Sequence, residues 1–331
     1  MIVVRAPFRL PLGGGGTDLP NYYKNYGGSL ITAAINKYMY LNINRPAVVD
    51  NIKINYSKVE IVKPNELDKI KHDIVRNTLK YLGVNFPLEI GSMADLSAGT
   101  GMGSSSSYTV ALLKGMNQLL RRYIPLQELA EEACKIEIEL CEKPIGKQDQ
   151  YAATFGGIIQ LDINQLGKVK VEQLLLHNET IYELENRLMM FYTNIQRDAN
   201  TILGEQSQKA KRKELTALEA MHKIKEIGLK IKEALLHGDI TEFGKLLHEH
   251  WETKKSISGK MSNPQIDAWY ELARKNGAIG GKVMGAGGGG FMLFCIEQGK
   301  RRKFREVMEK AGLVYMDFKF DFEGVKVLAN V

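Results

Sequence analysis

Asp95-Leu96-Ser97-Ala98-Gly99-Thr100-Gly101-Met102-Gly103-Ser104-Ser105-Ser106-Ser107 is a glycine- and serine-rich loop. It runs straight into apolar residues at helical spacing: Val110, Ala111, Leu112, Leu113, Met116, Leu119 and Leu120. Glycines let successive backbone N–H groups turn toward one point, and a helix start adds free donors and the positive end of a dipole. Together they make an anion site suited to a polyphosphate. The serine hydroxyls can accept a Mg²⁺ that bridges phosphate oxygens. A flexible linker has a similar composition, but it rarely opens onto a long apolar-periodic helix. No Gly-Lys-Ser/Thr ends the loop, so it is not a Walker A motif.

Outward from the loop, residues 88–92 form a short apolar strand that leads into it. Residues 104–122 and 126–142 read as helices, the second with Leu126, Leu129, Ala133, Ile136 and Leu140 on one side. Further upstream, residues 2–5, 38–44 and 48–56 have β character and residues 69–82 helical character. Downstream, residues 146–151 read as a loop, followed by a hairpin with Gly156-Gly157 before a strand at 158–161. Residues 162–187 have weak periodicity, and the boundary between units 1–187 and 188–331 is placed at their end. After it come a strand at 188–193, a long helix carrying Leu218, Met221, Ile224, Ile227, Ile231 and Leu235, and a helix at 240–255. Asn263-Pro264 starts another helix, ending at Gly277. Two strands then flank Gly285 to Gly290, a last helix covers 300–311, and Tyr315 to Phe322 alternates like a half-exposed strand. Helices segregate from antiparallel strands in this order, which is the α+β class.

A chain of 331 residues can hold two domains with real cores. Its 45 basic and 38 acidic side chains leave a net charge of +7. Such an excess fits an anionic small substrate, or an unremarkable surface bias. The densest basic run, Lys209-Ala210-Lys211-Arg212-Lys213, is short and leads into a helix, so a nucleic-acid partner is not expected. No apolar run approaches the about 18 residues of a membrane helix, so no membrane partner is expected either. Three cysteines, Cys134, Cys141 and Cys295, suggest reduced thiols and a cytoplasmic location. His248 and His250 show no metal spacing and read as surface residues.

Three glycine-rich segments lie far apart, at Gly13 to Gly16, Gly99 to Gly103 and Gly285 to Gly290. They suggest backbone approaching a ligand from several sides. The third matches G-x-G-x-x-G, but Phe291-Met292-Leu293-Phe294 after it reads as a strand. A dinucleotide fingerprint needs a helix there, so a dehydrogenase is disfavoured; a turn packed under a nucleotide or a plain hairpin remains. Mg²⁺ on phosphates needs one or two protein carboxylates, and Glu137 is a candidate. Asp149 could accept a proton from a sugar hydroxyl, or be a turn-forming residue. Arg9 could neutralise a γ-phosphate, and Asp18 could hold sugar hydroxyls; a structural salt bridge would explain either residue as well.

These segments resemble the three motifs of the GHMP small-molecule kinases, the family of galactokinase, homoserine kinase, mevalonate kinase and phosphomevalonate kinase. Ala6-Pro7-Phe8-Arg9 through Thr17-Asp18 resembles the first motif. Gly101-Met102-Gly103-Ser104-Ser105-Ser106-Ser107 resembles the second, with Met and two serines where Leu and two alanines are common. Gly281-Lys282-Val283-Met284-Gly285-Ala286-Gly287-Gly288-Gly289-Gly290-Phe291 resembles the third, and the resemblance spans nearly the whole chain. It implies an N-terminal domain like the second domain of ribosomal protein S5 and a ferredoxin-like C-terminal domain, with ATP and substrate between them. Residues Gly99, Gly101, Met102, Gly103, Ser104, Ser105 and Ser106 would hold ATP. Ser105 and Glu137 would bind Mg²⁺, Asp149 would be the catalytic base, and Arg9 the cation that activates it. The acceptor would meet Gly15, Gly16, Thr17, Asp18, Lys282, Gly287 and Gly288.

The Glu-His pair that precedes Thr-Asp in galactokinases is absent; Gly15-Gly16 stand there, which argues against galactose. Four segments are most similar to the members that phosphorylate C1 of D-glycero-D-manno-heptose 7-phosphate: Gly13 to Pro20, Gly146 to Tyr151, His250-Trp251 through Lys254-Lys255, and Gly281-Lys282-Val283. The expected partners are therefore ATP and a small sugar phosphate, with a homodimer allowed. The acceptor's distal phosphate would need a basic site, for which Lys147, Arg197, Lys254, Lys255 and Lys282 are candidates. A kinase for another sugar or an octose remains open, as does a non-catalytic sugar and nucleotide sensor on the same fold. Retention of Arg9, Ser105, Glu137 and Asp149 together favours a catalyst.

Overall fold

The first strand is much longer than its β-rich start at residues 2–5. In the computed structural model, which describes residues 1–195, 215–257, 261–285 and 287–331, β1 (Ile2–Gly13) pairs antiparallel with β2 (Gly28–Asn44). Ala6, Phe8, Leu10 and Leu12 all point into the core. Pro7 and Pro11 each sit at a shift of register, where a missing N–H is tolerated. The larger sheet adds β3 (Ile52–Asn55), β4 (Val59–Val62) and β5 (Leu88–Ala94) on one side of β2. On the other half of β2 stand β6 (Ile158–Ile163) and β7 (Val169–Gln173). β3 and β5 run parallel, whereas the other pairs in this sheet are antiparallel.

Helices α1 (Pro20–Tyr26), α2 (Asp73–Tyr81), α3 (Ser104–Leu119), α4 (Leu126–Cys134) and α5 (Gln148–Phe155) belong to this half, whereas α6 (Asn178–Arg187) packs on the smaller sheet, where Arg187 Nε donates to the Ile296 carbonyl at 2.9 Å. The smaller sheet has the order β11-β8-β10-β9, with β8 (Leu188–Tyr192), β9 (Ala278–Val283), β10 (Phe291–Ile296) and β11 (Val314–Met316). Around it lie α7 (Leu215–Leu236), α8 (Ile240–Lys255), α9 (Pro264–Lys275) and α10 (Arg301–Lys310). The final strand, β12 (Lys326–Asn330), crosses the division expected at residue 187 and pairs with β1 in the larger sheet. No helix among the described residues is long and apolar enough to cross a membrane.

Several local expectations shift for identifiable reasons. Residues 48–51 are not strand: Val48 is 96% exposed, and pairing begins only at Ile52. The helix expected over 69–82 starts at Asp73, capped by His72, whose ring accepts from the Val75 N–H; a separate 3₁₀ turn occupies Leu67–Lys69. α4 continues as a π-helix over Lys135–Leu140. Asn263 does cap α9, its side chain accepting from the Gln265 and Ile266 N–H groups. The alternating stretch 315–322 leaves the sheet after Met316, and Asp321 folds it into a turn by accepting from the Glu323 and Gly324 N–H groups. Weakly periodic residues 162–187 contain β7 and α6.

α8 lies flush on β9 because glycines face each other across the contact. A methyl group on Gly280 would stand 2.0 Å from the Gly244 carbonyl oxygen, and one on Gly244 would stand 2.8 Å from Ile279 Cγ2. This close seat sets the height of α8 above the sheet and so places the side chains at its C-terminal end. Gly280→Ala is therefore expected to lower unfolding free energy by about 1–3 kcal/mol, the usual range for overpacking. Urea unfolding measures it, and an unchanged midpoint would show that α8 is not seated by this contact.

Candidate active site

The Gly/Ser loop is held from two sides. Gly99, Gly101 and Gly103 all have positive φ, at 79°, 77° and 80°, a conformation that other residues adopt at a cost. On one side the Arg9 N–H bonds the Met102 carbonyl at 3.2 Å. On the other, a methyl group on Gly101 would stand 3.0 Å from the Met284 carbonyl oxygen, one on Gly285 2.8 Å from the Gly101 oxygen, and one on Gly290 2.4 Å from the Thr100 oxygen. The third glycine segment thus packs on the backbone of the second, and a strand follows it, as the sequence reading required. Gly103 caps α3, whose N-terminal Ser104, Ser105 and Ser106 line a cavity of about 810 Å³. Gly99, Gly101, Met102 and Gly103 line it too, and its size is in the range of a nucleotide-sized ligand site. Its far wall is aromatic: the His72 ring stacks on Tyr108 at 4.8 Å and meets the Tyr56 ring edge-on at 4.9 Å.

Glu137 is fully buried and close to the start of α3. The Ser105 hydroxyl donates to its Oε1, and Gln150 Nε2 donates to its Oε2 at 2.8 Å. Lys143 Nζ lies 2.8 Å from Ser105 Oγ and 3.6 Å from Glu137 Oε1. Sequence reasoning missed Lys143; the π-helix and the turn after it carry it back over Glu137, and nothing in the spacing marks that. No group of three or more His, Cys, Asp or Glu among the described residues could hold a metal alone. The oxygens of Ser105 and Glu137 are nevertheless the donor type a Mg²⁺ takes, with the remaining positions left to water and phosphate oxygens.

Arg9 on β1 meets Asp149 on α5 in a two-bond fork. Nε donates to Oδ1 at 2.7 Å and Nη2 to Oδ2 at 3.0 Å, while Nη1 donates to the Gly101 carbonyl at 2.6 Å. Such a fork fixes both the distance and the plane of the carboxylate. The structure corrects the loop expected at 146–151, because Asp149 sits in the first turn of α5. That helix is buried nearly all round, so it carries no amphipathic signal.

Behind Asp149 lies a second cavity, of about 80 Å³, lined by Gly15, Gly16, Asp18, Ile145, Gly146, Gln148, His250, Lys254 and Lys282. Arg9, Ile145, Asp149 and Gly285 line both cavities, so the Arg9–Asp149 pair stands where the two meet. Asp18 accepts from the Gly16 and Gln148 N–H groups, each at 3.0 Å. Burial raises its pKa, partly offset by the Gln148 N–H, and the nearby Asp149 charge adds to the rise. Lys282 bonds the Leu12 carbonyl at 3.3 Å, and burial, Lys254 and Arg9 push its pKa well down. His250 corrects the surface expectation: it shares the inward face of α8 with Phe243, Leu247, Trp251 and Lys254. His248 is half-buried, its Nδ1 2.7 Å from the Tyr270 hydroxyl.

Other expected residues are placed elsewhere. Thr17 is buried and its hydroxyl bonds the Gly14 and Ser29 carbonyls at 2.8 and 2.9 Å, bracing the loop that carries Asp18. Gly287 and Gly288 pack on Met261, with the Gly288 N–H on the Met261 carbonyl at 2.6 Å. Lys147 is turned to Glu131 and Gly167, and Lys255 to Glu252. Arg197, Ala286 and the basic run 209–213 lie outside the described residues.

Residues 69–157 match the GHMP kinases N terminal domain and residues 231–313 match the GHMP kinases C terminal family. A D-glycero-alpha-D-manno-heptose 7-phosphate kinase of Campylobacter jejuni is 34% identical over 98% of each chain. A galactokinase of Pyrococcus furiosus is 26% identical over 98% of this chain and 97% of that protein. The crystal structure of a D-glycero-D-manno-heptose 1-phosphate kinase from Bacteroides thetaiotaomicron superposes over all of both chains, with a TM-score of 0.82 and 28% identity.

A methyl group on Gly146 would stand 1.9 Å from Asp18 Oδ2. Gly146→Ala is therefore expected to push Asp18 off at least one of its two N–H donors, at a cost of about 1–3 kcal/mol of stability. Chemical unfolding tests this; a loss under about 0.5 kcal/mol, the level of a neutral surface change, would mean that the loop yields instead.

Proposed function

The chain belongs to the GHMP kinases, a family of ATP-dependent phosphotransferases with alcohol acceptors, and on that premise we propose that its acceptor is D-glycero-D-manno-heptose 7-phosphate. The hydroxyl phosphorylated is the anomeric one at C1, and the product is the 1,7-bisphosphate. The observation that carries this reading is the Arg9–Asp149 pair at the junction of a large cavity floored by the Gly/Ser loop and a small one walled by lysines. The similarity to the Campylobacter jejuni heptose 7-phosphate kinase supports the choice of sugar.

In this reading the loop N–H groups and the N-terminus of α3 bind the phosphates of ATP. Ser105 and Glu137 hold the Mg²⁺ that accompanies the nucleotide, which supplies charge neutralisation on the phosphates. Lys143 adds a positive charge beside the same oxygens. Asp149 accepts the proton of the C1 hydroxyl as it attacks the γ-phosphorus in line. Arg9 keeps the carboxylate aimed and adds positive charge where the transferred group becomes negative. Asp18, anchored by two N–H groups, receives hydroxyls of the sugar.

An ADP-release assay with Mg-ATP tests the reading over heptose 7-phosphate, mannose, galactose, fucose, mevalonate and homoserine. Heptose 7-phosphate is expected to be the best acceptor. Asp149→Asn is expected to lower kcat by about 10²–10⁴-fold, the worth of a positioned base. ³¹P NMR would locate the new phosphate. Turnover with a free sugar alone, or an Asp149→Asn enzyme of parental kcat, would overturn the acceptor or the base respectively.

A further inference from the structure

His250 is 1% exposed, and neither of its ring nitrogens has a hydrogen-bond partner among the described residues. It lines the small cavity, and Gln148, whose Nε2 is also without a partner among the described residues, lines the same space. Buried polar groups without partners cost free energy, and a ligand that supplies those partners recovers it. Lys254 and Lys282, both buried, face the same cavity. Two carboxylates stand there, and both are engaged elsewhere: Asp149 by Arg9, and Asp18 by two backbone N–H groups. Lys254 Nζ donates to the Gly285 carbonyl at 2.7 Å and Lys282 Nζ to the Leu12 carbonyl at 3.3 Å, which holds both amino groups at the cavity wall. The wall therefore carries an imidazole, an amide N–H₂ and two amino groups, a set of donors that suits a phosphate oxyanion.

We propose that His250, Lys254 and Lys282 form the subsite for the acceptor's own phosphate ester, and that His250 determines selection of a sugar phosphate over the free sugar. This rests on the phosphorylated acceptor argued above. The sugar ring then spans from the small cavity to Asp149, with the ester phosphate at the far end. Among the described residues, the charged groups that line the cavity with His250 are Lys254 on its own helix, Lys282 on β9, Arg9 on β1, Asp149 on α5 and Asp18 in the loop after β1. Burial, Lys282 and Lys254 hold the imidazole pKa well below its ordinary value, so the free protein carries it neutral near pH 7. A bound dianion reverses the balance, and a proton is taken up. Lys282, held down by burial and the same cations, shifts in the same direction. Affinity for the ester therefore falls as pH rises above 7, where the phosphate itself is already dianionic.

Calorimetry in buffers of different ionisation enthalpy reads both quantities, with heptose 7-phosphate, unphosphorylated heptose and inorganic phosphate as probes. Parent protein is expected to bind the 7-phosphate with proton uptake at pH 7.5, and to bind it more tightly than free heptose. His250→Gln and Lys282→Met are each expected to reduce that preference by about tenfold or more, with ATP affinity retained as the sign of a folded protein. A preference unchanged in both variants overturns the subsite while leaving the kinase reading intact. A parent protein that binds neither heptose overturns the acceptor instead; inorganic phosphate then tests the subsite alone, and its failure to bind parent protein overturns that too. The proton uptake is measured on parent protein, so it stands even if a variant does not fold.

Discussion

Backbone pressed against backbone, without side chains between, is the constraint on which this structure depends. Gly101 meets Met284 and Gly285, and Gly290 meets Thr100, at separations that leave no room for a methyl group. The contact joins the loop before α3 to the turn between β9 and β10, and so joins the two sheets. Positive φ at Gly101, Gly285 and Gly290 removes a second freedom, since other residues pay to adopt it. Arg9 follows from this seat: its main chain bonds Met102, its side chain bonds Gly101, and its remaining donors hold Asp149. A small displacement of the loop would carry the carboxylate with it.

The named acids of the site come from one half of the molecule. The acidic side chains Asp18, Glu137 and Asp149 all come from the larger-sheet half, and each is held by named donors. The cations Lys254 and Lys282 come from the smaller-sheet half. Closing one half on the other therefore sets these carboxylates, with Arg9 and Lys143 already beside them, against two further cations. The flush glycine seat of α8 on β9 keeps the cationic side at a fixed height.

Much of this was legible from local pattern. The Gly/Ser loop announces α3 through composition and helical spacing, and Asn263-Pro264 announces α9 through capping chemistry. Arg9, Glu137 and Asp149 could be named because their residue types suit phosphate chemistry and the motifs placed them. What stayed hidden depends on burial. α5 has no polar face, so its helical form could not be read and Asp149 appeared to lie in a loop. His250 looked like a surface residue because its polarity outweighed the apolar face it shares with Leu247 and Trp251. Lys143 reaches Glu137 only because a π-helix changes the winding just before it. β12 escaped notice because its partner, β1, is over three hundred positions away.

That last pairing bears on how the chain is made. Strand β1 leaves the ribosome more than three hundred residues before the strand that pairs with its outer edge. Throughout synthesis the edge of β1 must wait with unpaired N–H and C=O groups, while the whole smaller sheet forms in between. The larger sheet is thus a non-local assembly with a high loop-closure cost, completed after the insertion it brackets. Pulling Met1 and Val331 apart would load that β1–β12 ladder first and peel it open before either core felt the force.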